Sequence, residues 1–265
     1  MSSAAEQLVV YPVKACRGIA VDAWPVEPRG LRHDRRFMVV TPDGRHVSQR
    51  ELAALCQIET ALELDRGRLV LRRDGHGEVA LPLAPEGGVP LRVTVWSDQV
   101  DARVVGADAD AWLTAALGQP LRLVYFPEAS HRPTEAAYAP GFETAFSDGF
   151  PLLVIGRASL DDLNARLATP VPMERFRPNL VVAGDAPFAE DGWGDIACGD
   201  AVLRIVKPCG RCVVITTDQR TAERDQEPLR TLATYRRRDG EVMFGQNAVV
   251  VRPGVIRVGD PIQIR

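Results

Sequence analysis

Lysine, long apolar runs and a surplus of charge are all scarce in this chain of 265 residues. Only Lys14 and Lys207 are lysines, and the formal net charge is −3. This near balance argues against a general attraction to nucleic acid or to anionic lipid. No run of about 18 apolar residues occurs, so the sequence predicts no transmembrane helix. No secretory signal opens the chain, so we expect no membrane partner and no export.

Cysteine is present but does not form a disulfide framework. Cys16, Cys56 and Cys198 stand alone, whereas Cys209 and Cys212 form a Cys-x-x-Cys pair with Arg211 between them. An odd number of cysteines in a chain of this length indicates reduced thiols. The sequence therefore predicts a cytoplasmic protein whose most informative thiols lie at positions 209 and 212.

Several chemistries use such a pair of thiols. A redox couple is expected ahead of a helix, which lowers the thiolate pKa, but residues 213–217 read Val-Val-Ile-Thr-Thr and predict a buried strand. Structural zinc needs four ligands, and the pair supplies two. A single thiolate can instead bind a softer transition metal while nearby cations hold an anionic cofactor. The pair can also be inert, since most cysteines are small buried apolar residues.

Short alternating strands dominate the predicted secondary structure. They are clearest between residues 57 and 105, where glycine, proline and aspartate interrupt them. This spacing favours a barrel or sandwich with few helices. A long loop at residues 127–145 is predicted to join two domains, residues 1–126 and residues 127–265.

Helix start signals are few, and each predicts a short helix. The segment Ser48–Glu51 is a capping box, and Asp108 and Ser159 are predicted N-caps. Pro228 suits the first turn of a helix. The fold class is therefore mainly β with a few short helices.

Cation-bearing turns recur next to predicted strands, although the chain is acidic overall. They contain Lys14 and Arg17, Arg35 and Arg36, Arg177 and Asn179, and Arg211. If these turns converge, they form a concave site for a compact dianion such as a phosphate, because ammonium and guanidinium groups bind it through charge-assisted hydrogen bonds. If they do not converge, they are ordinary solvated side chains.

An ordered set of motifs resembles the MOSC-domain proteins, named after the C-terminal domain of molybdenum cofactor sulfurase, and in particular their amidoxime-reducing branch. The motifs cover nearly the whole chain: Tyr11-Pro-Val-Lys14 with Gly18, Gly30-Leu31 with Asp34-Arg-Arg-Phe37, Ser147-Asp148, Phe176-Arg-Pro-Asn179, Cys209-Gly-Arg-Cys212, Thr216-Thr-Asp218, Glu227-Pro-Leu229, Phe244-Gly-Gln246 and Val258-Gly-Asp-Pro261. The resemblance implies a β-barrel MOSC domain that follows a smaller N-terminal β-barrel domain.

The resemblance also implies a cofactor and a set of site residues. The cofactor is molybdenum bound to a pyranopterin dithiolene, with one protein thiolate on the metal at the position of Cys212 rather than Cys209. The positions that match cofactor-binding residues of the family are Lys14, Arg36, Arg177 and Arg211, with Ser147, Asp148, Asn179 and Asn247 at the rim. Ala15 and Gly210 depart from some relatives, which carry polar side chains there.

The implied activity is a two-electron oxygen-atom transfer that reduces N-hydroxylated compounds (amidoximes, hydroxylamines and N-hydroxylated bases) to amines, with Cys212 at the catalytic centre. No four-cysteine cluster pattern for iron–sulfur ligation is present, and no N-terminal membrane anchor is expected. Electrons are therefore expected from a separate protein, either a ferredoxin or flavodoxin, or a cytochrome b5-like protein with its reductase. The alternative is a MOSC module that carries the cofactor, or relays sulfur through Cys209 or Cys212, without reductase activity.

Overall fold

The computed structural model describes residues 3–184 and 186–265. Short strands make up most of its regular structure, as the sequence predicts. The strands are β1 Ala4–Val10, β2 Ile19–Val21, β3 Ala23–Glu27, β4 Gly30–Leu31, β5 Phe37–Val40, β6 Glu59–Glu63, β7 Arg68–Arg72, β8 Glu78–Pro82, β9 Pro90–Val95, β10 Asp98–Val104, β11 Arg122–Tyr125, β12 Leu152–Gly156, β13 Leu180–Ala183, β14 Asp195–Cys198, β15 Ala201–Arg211, β16 Arg237–Arg238, β17 Glu241–Arg252, β18 Gly254–Arg257 and β19 Ile262–Ile264.

Helices are few and short. The α-helices are α1 Ala107–Leu117, α2 Arg157–Asn164 and α3 Leu229–Ala233. Single turns of 3-10 helix cover Ala53–Gln57, Leu64–Arg66, Met173–Phe176, Ala189–Gly192 and Val213–Thr216. The mainly β fold class is confirmed. No helix within the described residues is long and apolar enough to cross a membrane.

A nine-stranded sheet carries most of the C-terminal part. Its order is β19-β14-β15-β17-β12-β13-β1-β2, with β16 paired to β17. Alternate residues of β12 enter different cores: Leu152 and Val154 pack in one, Leu153 and Ile155 in the other. Since side chains alternate across a strand, the sheet is covered on both faces, which explains the continuous apolar sequence of β12.

The start of the chain joins this C-terminal sheet. Strand β1 pairs with β13, and β3 pairs with β18. A bridge from Ala4 to Pro261 brings β1 towards the beginning of β19, so the sheet curls back on itself. The division at residues 126 and 127 stays a prediction. Strands β1 and β2 join the nine-stranded sheet, and β3 and β4 form a separate three-stranded sheet with β18, so strands of both halves share these sheets.

The N-terminal half adds a sheet in the order β5-β11-β10-β9 and another formed by β6, β7 and β8. Helix α1 packs its buried residue Leu113 into the core shared with β7 and β11. It ends at Gly118, whose left-handed conformation (φ 73°) glycine adopts without a steric penalty. These sheets position the turns that form the N-terminal side of the cleft described below.

Four local predictions were wrong. Helix α1 begins after Gly106, so Asp108 lies within its first turn instead of capping it. The 3-10 turn Ala53–Gln57 begins after Leu52 instead of at the capping box of Ser48. The run after Cys212 forms a one-turn 3-10 helix, Val213–Thr216, instead of a strand. Strand β15 loses its partner here, since its pairing with β17 ends at Arg211 and Val242. Ser159 lies inside α2, which begins at Arg157, because its hydroxyl binds the buried carboxylate of Glu190 and is not a cap.

Candidate cofactor-binding cleft

A cleft forms where loops of the N-terminal half meet the end of strand β15. It encloses about 940 Å³ of empty space, part of which is open to solvent. Its wall contains one carboxylate, Asp148, and six cationic side chains: Lys14, Arg35, Arg50, Arg175, Arg177 and Arg211. In a chain of net negative charge, this concentration of positive charge favours an anionic ligand.

Two thiols open on this cleft. Cys209 lies within β15 near its end, and Cys212 is the first residue after that strand. Both side chains are partly exposed and line the cleft. Burial raises the pKa of Cys209, although Arg211 opposes that effect. Cys16, by contrast, is fully buried, and burial raises the pKa of its thiol to about 12, so it stays protonated. The cleft therefore brings the Cys-x-x-Cys pair, and not the isolated Cys16, to the cationic wall.

Two guanidinium groups lie over the ring of Tyr11. The carbons of the Arg35 and Arg177 guanidiniums are 4.5 and 4.3 Å from its centroid. Burial raises the pKa of Tyr11 to about 12, so the ring stays neutral. Such cation–π contacts contribute about 2 kcal/mol each where water is excluded. Tyr11 thus serves as the support that holds the two cations close together.

The charge of Arg35 is compensated by a buried carboxylate. Its Nη1 donates to Asp34 Oδ2 (2.6 Å) and to Asn179 Oδ1 (2.7 Å). Asp34 also accepts from the Tyr11 backbone N–H (2.8 Å) and from Asn179 Nδ2 (2.9 Å). This network connects β1 to β13 and fixes the orientation of Arg35 and Asn179.

Among the described residues, no carboxylate forms an ion pair with Arg177. Burial lowers its pKa, and the nearby charge of Arg35 acts in the same direction. Its backbone is left-handed (φ 56°), which is uncommon for a residue with a side chain. This conformation ends the Met173–Phe176 turn and directs the guanidinium into the cleft.

Lys14 and Asp148 form an ion pair at the side of the cleft. Lys14 Nζ donates to Asp148 Oδ1 (2.5 Å) and to the Phe146 carbonyl (2.8 Å). Desolvation alone would raise the pKa of Asp148. The charge and hydrogen bond of the Lys14 ammonium have a larger effect and hold that pKa well below its usual range. Asp148 therefore stays ionised at neutral pH.

The loop that carries Ser147 and Asp148 is held by a buried arginine. Arg132 donates to the carbonyl oxygens of Ala145, Ser147 and Asp148 and to Asp98. Its side chain is only 3% exposed. This one guanidinium therefore fixes a loop without regular secondary structure against the cleft.

The donor atoms of the cleft fit an anionic cofactor. Arg177 Nη2, Arg211 Nη2 and Arg175 Nε are buried without a hydrogen-bond partner in the described part of the chain. Lys14 uses two of the three N–H groups of its ammonium. Buried N–H groups are normally satisfied, so these atoms are suited to bind phosphate and other anionic groups.

Most of the predicted site residues converge on the cleft. It is lined by Lys14, Ser147, Asp148, Arg177, Asn179, Arg211, Cys212 and Asn247. Their roles toward a cofactor stay predictions, but their proximity is a structural finding.

Arg36 requires a correction, because it does not line the cleft. Its guanidinium donates to the Phe126 carbonyl (2.7 and 3.1 Å) and to Glu128 Oε1 (2.7 Å). Arg35 ends the turn before β5 with a left-handed backbone (φ 45°) and lines the cleft, whereas Arg36 does not. The structure therefore places Arg35, and not the predicted Arg36, in the wall of the cleft.

Three further residues of the wall were missed. Arg175 lies two positions before Arg177 and binds Asp218 (3.1 Å). Arg50 and Trp96 belong to turns of the N-terminal half. The spacing of Arg175 from Arg177 was a usable signal, but nothing in the sequence brings Arg50 and Trp96 to a site 100 residues away.

Comparisons with known proteins give a consistent result. Residues 142–263 match the MOSC domain, and residues 2–120 match the MOSC N-terminal beta barrel domain. The chain is 36% identical to mitochondrial amidoxime-reducing component 1 of Mus musculus, over 97% of this chain and 81% of the relative. The corresponding Homo sapiens protein is 35% identical, over 97% of this chain and 82% of the relative.

A second group of relatives is larger than this chain. Molybdenum cofactor sulfurase of Danio rerio is 34% identical, over 90% of this chain but only 31% of the relative. The resemblance found in the sequence is confirmed: this chain belongs to the MOSC family and contains both the MOSC domain and the MOSC N-terminal beta barrel domain.

Proposed function

We propose that this protein binds a molybdenum cofactor and reduces N-hydroxylated compounds, such as amidoximes, hydroxylamines and N-hydroxylated bases. The observation that carries the proposal is the cleft in which Cys212 lies among six cations. Three of their guanidiniums have buried N–H groups without a hydrogen-bond partner among the described residues. The names of the relatives supply the chemistry: amidoxime reduction in one group and the molybdenum cofactor in the other.

The side chains of the cleft divide into a thiolate and an anion cradle. Cys212 would supply the single protein thiolate to the metal, since thiolates suit soft transition metals. Lys14, Arg35, Arg177 and Arg211 would hold the anionic parts of the pterin and its phosphate through charge-assisted hydrogen bonds. Ser147, Asn179 and Asn247 add neutral polar contacts. Arg35 takes the place that the sequence had given to Arg36.

The net reaction breaks the N–O bond of the substrate. It consumes two electrons and two protons and releases one water molecule and the deoxygenated nitrogen compound, which is an amidine from an amidoxime and an amine from a substituted hydroxylamine. When bound, the cofactor supplies the two-electron oxygen-atom transfer, and the protein orients it and sets its electrostatics. Asp148 stays ionised beside Lys14, so it would accept a hydrogen bond from the N–H or O–H of a substrate.

The electrons require a separate reductant in this proposal. Either a ferredoxin or flavodoxin, or a cytochrome b5-like protein with its reductase, would fill that role. A cytoplasmic location also stays a proposal, since the amidoxime-reducing relatives are named as mitochondrial proteins. We propose no role for nucleic acid or for a membrane.

A second function has one observation in its favour. Cys209 opens on the same cleft as Cys212, and part of the family consists of molybdenum cofactor sulfurases. A carrier of the cofactor, or a relay that passes sulfur between two thiols, would use this arrangement without reducing a substrate.

Metal analysis combined with turnover separates the two functions. The protein would be purified from cells that synthesise molybdenum cofactor, and its molybdenum and pterin content measured. Reduction of benzamidoxime would then be followed with reduced methyl viologen as the donor. Bound cofactor with turnover supports the reductase, and bound cofactor without turnover supports the carrier. Protein without molybdenum from such cells contradicts both the reductase and the cofactor carrier.

A further inference from the structure

One wall of the cleft is aromatic and adjoins the proposed cofactor cradle, since Lys14 Nζ lies 5.9 Å from the centroid of the Trp96 ring. Trp96 lies at the tip of the hairpin between β9 and β10, lines the cleft and is 40% exposed. Its backbone is left-handed (φ 55°). The two-residue turn that joins Val95 to Asp98 accounts for this conformation and places the indole at the tip of the hairpin.

Several contacts fix the indole ring of Trp96. Its Nε1 donates to Asp148 Oδ1 (3.1 Å). The ring of His46 meets it edge-on, with centroids 4.6 Å apart and planes at 71°. Since the indole is held in one orientation while much of its surface stays exposed, it is preorganised to stack with a planar ligand.

Arg50 extends this wall with a positive charge. Its guanidinium carbon lies 4.5 Å from the centroid of the Trp96 ring. Within residues 3–184 and 186–265, no carboxylate forms an ion pair with Arg50, and the residue is exposed. The N–H groups of Arg50 therefore stay available to an anionic substituent on a ligand stacked beside them.

We propose that Trp96 and Arg50 form a substrate shelf that makes this protein selective for planar aromatic N-hydroxylated compounds, above all those with a carboxylate or phosphate substituent. This inference rests on the proposed reductase function and adds the part of the substrate that is recognised. The aromatic ring stacks on Trp96, its anionic substituent meets Arg50, and the N-hydroxylated group extends into the cleft that Cys212 also lines. Selectivity then comes from the N-terminal half, and the metal thiolate from the C-terminal half.

The test compares three substrates with the molybdenum-loaded enzyme and reduced methyl viologen. Hydroxylamine has no ring, benzamidoxime has a ring, and 4-carboxybenzamidoxime has a ring and an anionic group. Trp96→Leu should raise KM for benzamidoxime about tenfold or more, and it should raise KM for hydroxylamine by much less. Arg50→Gln should raise KM for the carboxylated compound several-fold more than for benzamidoxime. Trp96→Phe should restore most of the affinity for both aromatic substrates.

Trp112→Leu is the matched control. Trp112 lies on α1, and its indole donates to the His76 carbonyl (3.0 Å), outside the cleft. This variant should leave all three substrates unaffected. If Trp112→Leu raises KM for benzamidoxime as much as Trp96→Leu does, the proposed shelf is refuted.

Binding measured without turnover gives an independent readout. Titration with benzamidoxime should quench the tryptophan fluorescence of the wild type, and Trp96→Phe should remove most of that quenching. Unchanged quenching, or an equal loss of activity with hydroxylamine and benzamidoxime, contradicts the shelf. A fall in pterin content of Trp96→Leu also contradicts it, since Trp96 would then hold the cofactor. If the wild type holds molybdenum but reduces none of the substrates, the reductase function fails, and the titration still decides whether planar compounds bind at Trp96.

Discussion

Replacing Arg177 by glutamine separates cofactor binding from folding. The guanidinium is buried beside the cationic Arg35, and its Nη2 has no partner among the described residues. Removing it from the metal-free protein relieves an unsatisfied donor that costs about 1–3 kcal/mol and loses a contact with Tyr11 of about 2 kcal/mol. Glutamine has the same left-handed backbone strain as arginine, so that term cancels. The free energy of unfolding should change by less than about 1 kcal/mol.

The cofactor should respond strongly to the same change. Each charge-assisted hydrogen bond to a bound anion contributes about 1.5–3 kcal/mol. The loss of one such bond weakens binding roughly 10- to 100-fold. The molybdenum-to-protein ratio after purification and dialysis should therefore fall well below that of the wild type, while urea unfolding of the metal-free protein stays nearly unchanged.

Arg36→Gln is the control for Arg177→Gln. Arg36 also lies in a cation-bearing turn next to a strand, but its guanidinium donates to the Phe126 carbonyl and to Glu128 and does not line the cleft. The Phe126 carbonyl would lose both of its hydrogen bonds from the Arg36 side chain, so unfolding should become easier by about 1–3 kcal/mol, with the molybdenum content of the folded protein retained. If Arg177→Gln keeps wild-type molybdenum, or if Arg36→Gln loses it selectively, the assignment of the cradle is refuted.

Two further predictions concern the surroundings of the cleft. Arg132→Lys should lower the free energy of unfolding by about 1–3 kcal/mol, because one ammonium cannot replace a guanidinium that serves three carbonyls; unchanged urea unfolding would contradict this. Burial lowers the pKa of His46 from 6.5 to about 4. Between these two pH values the unfolded chain binds a proton at His46 and the folded protein does not. The free energy of unfolding therefore decreases as the pH drops from about 6.5 towards 4. His46→Gln should remove roughly 2 kcal/mol of the loss between about pH 7.5 and about pH 5, and equal losses in both proteins by urea unfolding would refute it.

The sequence alone predicted which turns carry cations and where the thiol pair lies, but it did not predict that they converge. Lys14, Arg177 and Arg211 lie in such turns, Ser147 was indicated only by the resemblance to the family, and all of them line the same cleft as Cys212. The choice between Arg35 and Arg36 could not be made in this way. It depends on which side of the turn before β5 faces the C-terminal sheet, and that is fixed by the buried Asp34 and its bonds to Tyr11 and Asn179.

The segment after Cys212 shows a second limit of sequence patterns. Its β-branched residues have a high intrinsic preference for strands, yet a strand needs a partner. The pairing between β15 and β17 ends at Arg211, and the chain turns into a 3-10 helix that buries Ile215 and Thr216. Tertiary pairing therefore overrides local propensity where the chain leaves the sheet.

X-ray absorption at the molybdenum edge tests the central claim most directly, since it counts the sulfur atoms around the metal. Cys212→Ala and Cys209→Ala would be compared with the wild type after loading in cells that synthesise the cofactor. The account predicts that Cys212→Ala removes one sulfur scatterer and abolishes benzamidoxime reduction, whereas Cys209→Ala keeps the wild-type sulfur count. An unchanged sulfur count in Cys212→Ala, or the loss of a sulfur in Cys209→Ala instead, would contradict the assignment of Cys212 as the metal ligand.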